Sequence, residues 1–224
     1  EGIWLHVDGA YGGSAGLVPE LRHYLDGADR ADSMVVNPHK WMFTPVDCSV
    51  FWVRDRALLK RAFSLVPEYL VTAQTGEVVD LMDYGVQLGR RFRALKLWMV
   101  IRSFGTDGLA ARIREHVRIA QEFASWIETE PGWEIMAPHP FSLVCFRYAP
   151  HGLDEAQTNA LNQKIMDAVN AGGEAFLSHT KLRGKFVLRL AIGNIRTEEK
   201  HVARAWEMLR AAADSEVARD TSAN

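Results

Sequence analysis

Met34-Val35-Val36-Asn37-Pro38-His39-Lys40-Trp41 runs without interruption from a β-branched apolar strand into a polar turn that carries a lysine. Upstream, Trp4 to Asp8 reads as a buried strand ending in Asp-Gly-Ala, and downstream Cys48 to Val53 reads as a third strand. Pro19 to Leu25, between the first two, reads as a short helix with proline near its first turn. Strands alternating with helices are the mark of an α/β layer. Residues 63–85 break this regularity, because Pro67, Gly76 and Gly85 punctuate a stretch with no sustained period. A connection of that length is uncommon unless it serves a function, and it is read as a mobile active-site loop.

Beyond the loop, Phe92, Leu95 and Met99, and after the Gly105 break Leu109, Ile113, Val117 and Ile127, are spaced for one apolar helix face that ends at Pro131-Gly132. The stripe is read as core. A second α/β pattern follows: Phe141 to Tyr148 as strand, Asp154 to Asn170 as helix, then strands over Ala175 to Leu177 and Phe186 to Ile192. Asp154 with Gln157 has the form of a capping box, and Gly172-Gly173 that of a helix stop. A last helix begins near Thr197, with Val202, Ala205, Trp206 and Leu209 facing inward. The expected division is residues 1–100, containing the loop, and residues 101–224.

The 224 residues hold 26 Lys plus Arg against 28 Asp plus Glu, a formal net charge of -2. No global field therefore draws the protein to nucleic acid or to an anionic membrane. At 48% hydrophobic, with 17 Gly and 8 Pro, the composition excludes collagen-like and wholly disordered classes. Cys48 and Cys145, nearly a hundred residues apart in apolar surroundings, read as buried free thiols of a cytoplasmic protein. No apolar run is long enough for a membrane span and no signal peptide is evident. The histidines form no metal-ligand spacing, so no metal is expected. Residue 1 is Glu and the apolar run starts at Ile3, which reads as a chain cut from something longer.

Chemistry converges on two segments. Lys40, at a strand-to-loop junction among apolar neighbours, suits a buried amine with a lowered pKa that condenses with a carbonyl compound. Asp8 closes a run too apolar to hold a carboxylate without a cation or donor. A lysine for an aldehyde and an aspartate for a ring nitrogen are what pyridoxal 5'-phosphate requires. Ala10, two residues further on, is small enough for a flat ring to lie against. His6 is read as structural, on the strand face opposite Asp8. The cluster Arg90, Arg91, Arg93 and Lys96 is read as a solvated helix face or dimer contact.

The segments WLHVDGAYGGSA, ADSMVVNPHKWM, DCSVFWV, LGRRFRALKLWMV, LVCFR and KFVLRLAI closely resemble the group II pyridoxal-phosphate-dependent decarboxylases, above all the aromatic L-amino-acid decarboxylases. The resemblance covers nearly the whole chain. It implies the fold type I, aminotransferase-like α/β architecture: the C-terminal part of the cofactor-binding large domain plus a small C-terminal domain, in an enzyme active as a homodimer. It implies that Lys40 is the Schiff-base lysine, Asp8 the partner of the pyridine nitrogen and Ala10 the residue under one ring face. Asn37 falls near the cofactor phosphate, with His39 beside it as a cofactor-site or supporting histidine. Arg189 is a weaker candidate for facing the site.

Tyr69 stands where the resemblance places the tyrosine that protonates the substrate carbanion, whereas relatives with Phe there resemble aldehyde synthases that use oxygen. Gly89 matches a position lining the side-chain pocket, where the absence of a side chain admits an indole or another wide aromatic ring; the alternative is that it lets the chain pass closely into the next helix. The expected activity is decarboxylation of tryptophan, 5-hydroxytryptophan, Dopa or phenylalanine to the amine. Alternatives are a decarboxylase of another amino acid, an aldehyde-forming oxidative relative, or a non-catalytic fragment. Full-length relatives are about twice as long, and their N-terminal half supplies the phosphate loop, the residue stacked on the other ring face and much of the dimer interface. The expected partners are a small amino acid and a protein chain, either a second copy or the missing half.

Overall fold

The structure is a computed structural model, and it describes residues 2–64 and 79–222. The β-branched run forms β2, Ser33–Val36, at the centre of a three-stranded sheet. On one side β1, His6–Asp8, lies parallel to it with Asp8 opposite Val35. On the other, β3, Val50–Val53, is antiparallel with Val50 opposite Val36. The first strand is shorter than expected because Asp32 intervenes: its carboxylate accepts the Leu5 N–H at 2.8 Å and its own N–H donates to Leu5 O at 2.8 Å. Between β1 and β2 the chain runs through three 3-10 helices, one of them Pro19–Leu25, where a short helix with proline in its first turn was expected.

The expected burial of these strands fails. Ile3, Trp4, Leu5, Val50, Phe51 and Trp52 are all exposed, Ile3 at 80%. An apolar run shows that a strand seeks cover on both faces; it does not show that the same chain supplies the cover. His6 and Asp8, two residues apart, also share one strand face and are both exposed, which corrects the opposite-face reading of His6.

After β2 comes α1, Pro38–Trp41, a single turn. After β3 comes α2, Arg56–Phe63, capped by Asp55, whose carboxylate accepts the Ala57 N–H at 2.9 Å. The described chain resumes at Val79 and forms a 3-10 turn over Leu81–Tyr84. Most of the loop read over 63–85, including Tyr69, lies outside the described residues.

The chain forms two compact units, Glu1–Leu109 and Ala110–Asn224. Helix α3, Arg93–Thr129, runs through the boundary and is broken at Gly105, whose φ of 66° and ψ of 171° only glycine adopts easily. Its apolar stripe divides at that break. Leu109, Ile113 and Ile127 are buried as expected, but Phe92, Leu95 and Met99, read as core, are exposed, Phe92 at 76%.

The second unit is an antiparallel sheet in the order β4-β5-β7-β6, made of Trp133–Ile135, Leu143–Tyr148, Lys185–Ala191 and Ser178–Leu182. Helices α4, Glu155–Ala171, and α5, Glu199–Ser222, share its core with the later turns of α3. Phe123 sits at the centre, edge-on to Phe146 at 5.2 Å and to Trp206 at 5.8 Å, with Trp133 4.9 Å from Trp206. The capping box forms: Gln157 N–H donates to Asp154 Oδ1 at 2.8 Å and Asp154 N–H to Gln157 Oε1 at 2.9 Å.

The strand expected over 175–177 lies instead at 178–182. Asn170, at the end of α4, accepts the Leu177 N–H at 2.7 Å and donates to its carbonyl at 3.0 Å, so ladder pairing starts one residue later, at Ser178. Cys48 and Cys145 are free; Cys48 is buried, whereas Cys145 is half-buried rather than buried as expected. Among the described residues, no helix is long and apolar enough to cross a membrane.

Candidate active site

Asp8 is the last residue of β1 and Asn37 follows the last residue of β2, so both lie at the carboxyl ends of parallel strands, where open α/β sheets bind ligands. The two chain turns that leave these ends are joined by one backbone hydrogen bond, from Asn37 N–H to Ala10 O at 3.0 Å. The Asp8 carboxylate accepts the Ala10 N–H at 3.0 Å, which fixes its orientation. The turn after Asp8 lies flat on β2 because two glycines allow it. A Cβ on Gly9 would come within 2.9 Å of Met34 Cε and 3.0 Å of Val35 O, and one on Gly13 within 2.7 Å of Val36 Cγ2.

Lys40 is carried on α1, where Pro38 occupies the first turn and the Lys40 N–H donates to Asn37 O at 2.8 Å. Its neighbours are anchored. Trp41 is wholly buried and stacks on Tyr11, with ring centroids 4.7 Å apart and planes 5° from parallel. His39 Nδ1 rests on the Cys48 backbone, 2.6 Å from its O and 3.1 Å from its N, and the His39 N–H donates to Cys48 O at 3.2 Å. Lys40 itself is exposed in this chain, which corrects the reading of a buried amine: the apolar neighbours are buried beneath the turn while the lysine projects from it. Asn37 Oδ1 accepts the Ser49 hydroxyl at 2.6 Å, which turns the amide NH2 donors away from Ser49.

Gly89 is exposed on an open cleft of about 530 Å³, lined also by Asp47, Gln87, Leu88, Arg91 and Arg93. A Cβ at Gly89 would meet nothing within 4 Å, so no close passage of the chain requires glycine there. Arg93, read as part of a solvated cluster, is half-buried and pairs with Asp47 at 2.9 Å; its guanidinium holds the Asp47 carboxyl below the ordinary carboxylate range.

Arg189 lies in β7 opposite Cys145, whose thiol is pushed up by burial against the opposing pull of that guanidinium. Among the described residues no group of three or more His, Cys, Asp or Glu is arranged to hold a metal.

The structure thus brings Asp8, Ala10, Asn37, His39 and Lys40 to one end of the sheet and sets Gly89 on a cleft beside the Asp47–Arg93 pair. Sequence reasoning missed Tyr11, Cys48 and Ser49 as supports of this turn. All three stood inside the quoted segments, but stacking, backbone anchoring and a hydroxyl contact leave no spacing signature.

A family model for the pyridoxal-dependent decarboxylase conserved domain matches residues 1–149. The chain is 49% identical to the phenylacetaldehyde synthase of Arabidopsis thaliana over 94% of its own length and 43% of that protein's. It is 48% identical to tryptophan decarboxylase 2 of Oryza sativa subsp. japonica, over 93% of this chain and 42% of that one. It superposes on the crystal structure of Oryza sativa TDC with PLP and tryptamine with a TM-score of 0.89 at 41% identity, covering 96% of this chain and 45% of the other. The chain therefore spans less than half the length of these relatives.

Proposed function

The chain belongs to the pyridoxal-dependent decarboxylase family and has its fold type I α/β architecture, and from that premise we propose that it carries the lysine-bearing part of a carboxy-lyase that converts an aromatic L-amino acid to its amine and CO2. The observation that carries the reading is the hydrogen bond between Ala10 O and Asn37 N, which puts a fixed carboxylate and a lysine-bearing turn side by side at the ends of parallel strands. The residues present fit pyridoxal 5'-phosphate: an exposed amine, an oriented carboxylate, and a small residue above a glycine-flattened turn.

Pyridoxal 5'-phosphate, when bound, supplies an aldehyde and an electron-accepting ring. Lys40 would hold the cofactor through its amine, Asp8 would keep a proton at the ring nitrogen, Ala10 would leave room for one ring face, and Asn37 would offer its amide donors to the phosphate. His39 fixes the lysine turn on Cys48. Gly89 widens the side-chain pocket, and Tyr69 returns a proton to the substrate α-carbon. The active form is a homodimer completed by the segment that the relatives carry beyond this chain. It is cytoplasmic, in keeping with two free thiols.

A second reading has a specific observation behind it, the 49% identity to a phenylacetaldehyde synthase. In that reaction each amino acid consumes one O2 and one water and yields aldehyde, CO2, ammonia and hydrogen peroxide. The experiment is a panel of tryptophan, 5-hydroxytryptophan, Dopa, phenylalanine, glutamate and histidine, run on the completed enzyme with CO2, amine and peroxide measured together. Amine equal to CO2 with no peroxide is expected for the aromatic substrates. Peroxide equal to CO2 selects the oxidative reading, and turnover of glutamate or histidine alone refutes the aromatic one. No visible absorbance from lysine-bound cofactor in the completed protein leaves only a non-catalytic fragment.

A further inference from the structure

Asp47 and Cys48 are consecutive, and each ties the segment before β3 to a different part of the site. Cys48 is buried, and its backbone carries the lysine turn: His39 Nδ1 lies 2.6 Å from its O and 3.1 Å from its N, and the His39 N–H donates to that oxygen at 3.2 Å. Asp47 lines the open cleft on which Gly89 lies, and its Oδ2 accepts from Arg93 Nε at 2.9 Å. Arg93 is the first residue of α3 and stands four residues after Gly89. Residues 85–92, which carry Gly89 up to that point, lie in neither helix nor strand. The Cys48 thiol adds a weaker tie, donating to Arg93 O at 3.9 Å. An ion pair whose side chains are 49% and 25% exposed adds little to folding stability. This one, however, joins the wall of the cleft to the segment on which the lysine turn rests.

We propose that Asp47 and Arg93 are a specificity-setting pair of positioning residues: by tying the start of α3 to the segment that anchors the Lys40 turn, they fix how far the cleft wall at Gly89 stands from the lysine amine, and so which aromatic rings the site accepts. This rests on the reading of Gly89 as part of the side-chain pocket. The pair acts through the wall it holds. Its loss frees that wall and leaves the lysine turn in place, because His39 is held by the Cys48 backbone and not by Asp47. A wall that moves makes fewer contacts with a wide ring before and during reaction alike, which raises KM and leaves kcat nearly as it was.

The test measures kcat and KM in the completed enzyme for Asp47→Asn, Arg93→Met and the double variant, using the widest and the narrowest aromatic amino acids that the enzyme turns over. Gly89→Phe is run beside them, since a Cβ there meets nothing within 4 Å, and the visible absorbance of lysine-bound cofactor is read in each. The KM of the wide-ring substrate is expected to rise about five-fold in each single variant, the scale of one partly exposed ion pair. It should rise no further in the double variant, because both changes remove the same interaction. The narrow-ring KM moves less, so the preference for the wide ring falls, while the absorbance is retained. A purely structural pair would lower the melting temperature and leave that preference where it is. Asp47→Asn is nearly isosteric at a half-exposed position and keeps the test open if Arg93→Met does not fold. An unchanged preference in the single variants overturns the assignment, and so do additive effects in the double variant or loss of the cofactor absorbance. If Gly89→Phe leaves both KM values unchanged, the reading of Gly89 fails and the role of the pair fails with it. If Gly89→Phe raises them and the pair variants do not, the role of the pair alone is lost.

Discussion

Lys40 projects from a turn whose other members are pinned: Pro38 and Trp41 are buried and His39 rests on Cys48. Stability and chemistry are therefore separable at this residue. Lys40→Ala is expected to shift folding stability by no more than about 0.5 kcal/mol, as for other exposed positions. The same change should abolish the visible absorbance of bound cofactor and lower CO2 release by roughly 10³-fold or more. Denaturation and absorbance titration on one preparation check both.

His116 offers a contrast in the second unit. It is buried, and its imidazole is held below the ordinary value of 6.5, first by burial and then by Arg112, against the opposing pull of Glu115 and of a hydrogen bond to the Asn194 backbone. The unfolded chain then binds the proton more readily than the folded one, so this contribution is complete above about pH 6.5 and is lost as pH falls below it. The urea midpoint should decline on acidification below that point, and less steeply in His116→Gln. The candidate residues were legible at this scale as residue types in two short segments, Asp8-Gly9-Ala10 and Asn37 to Lys40. Their exposure was not, since the side chains that bury a residue stand elsewhere in the chain.

Among the elements, α4 and β5 are locked by Asn162, which is fully buried. Its amide oxygen accepts the Tyr148 N–H at 2.9 Å, and its NH2 donates to Tyr148 O at 2.7 Å and Thr158 O at 2.8 Å. Asn162→Ala takes these side-chain partners from the Tyr148 N–H and C=O and is expected to cost roughly 2–4 kcal/mol. Asp154→Ala, which removes the cap of the same helix, should cost about 1 kcal/mol. Chemical denaturation of the two variants should rank them in that order. The cap was legible because its partners are three residues apart. The lock was not, because Asn162 and Tyr148 are fourteen apart and belong to different elements. The displacement of β6 has the same origin: Asn170 reaches across seven residues to take the backbone of Leu177 out of the ladder.

For the molecule as a whole, the two units differ in how completely they cover their own apolar groups. The second closes its sheet under three helical segments with a contiguous buried core. The first leaves both the strand run Ile3 to Leu5 and the β3 residues Val50 to Trp52 exposed. A fragment of residues 110–224 is accordingly expected to melt cooperatively by itself, whereas residues 1–109 alone should bind a hydrophobic dye and show no sharp transition. A cooperative melt of the first fragment without dye binding would contradict this.

The sequence by itself determined the α/β class, the longer helices and most strands, the capping box and the set of groups available for chemistry, since each is written in local period, composition or short spacing; α2 and β4 escaped it. Only the tertiary structure decided that the Asp8 turn and the Lys40 turn are joined through Ala10 and Asn37, that Asp47 pairs with Arg93, and which apolar faces this chain covers. Those are pairings between distant residues, fixed by which backbone and side-chain groups can satisfy one another once the sheet is formed, and no local pattern encodes them.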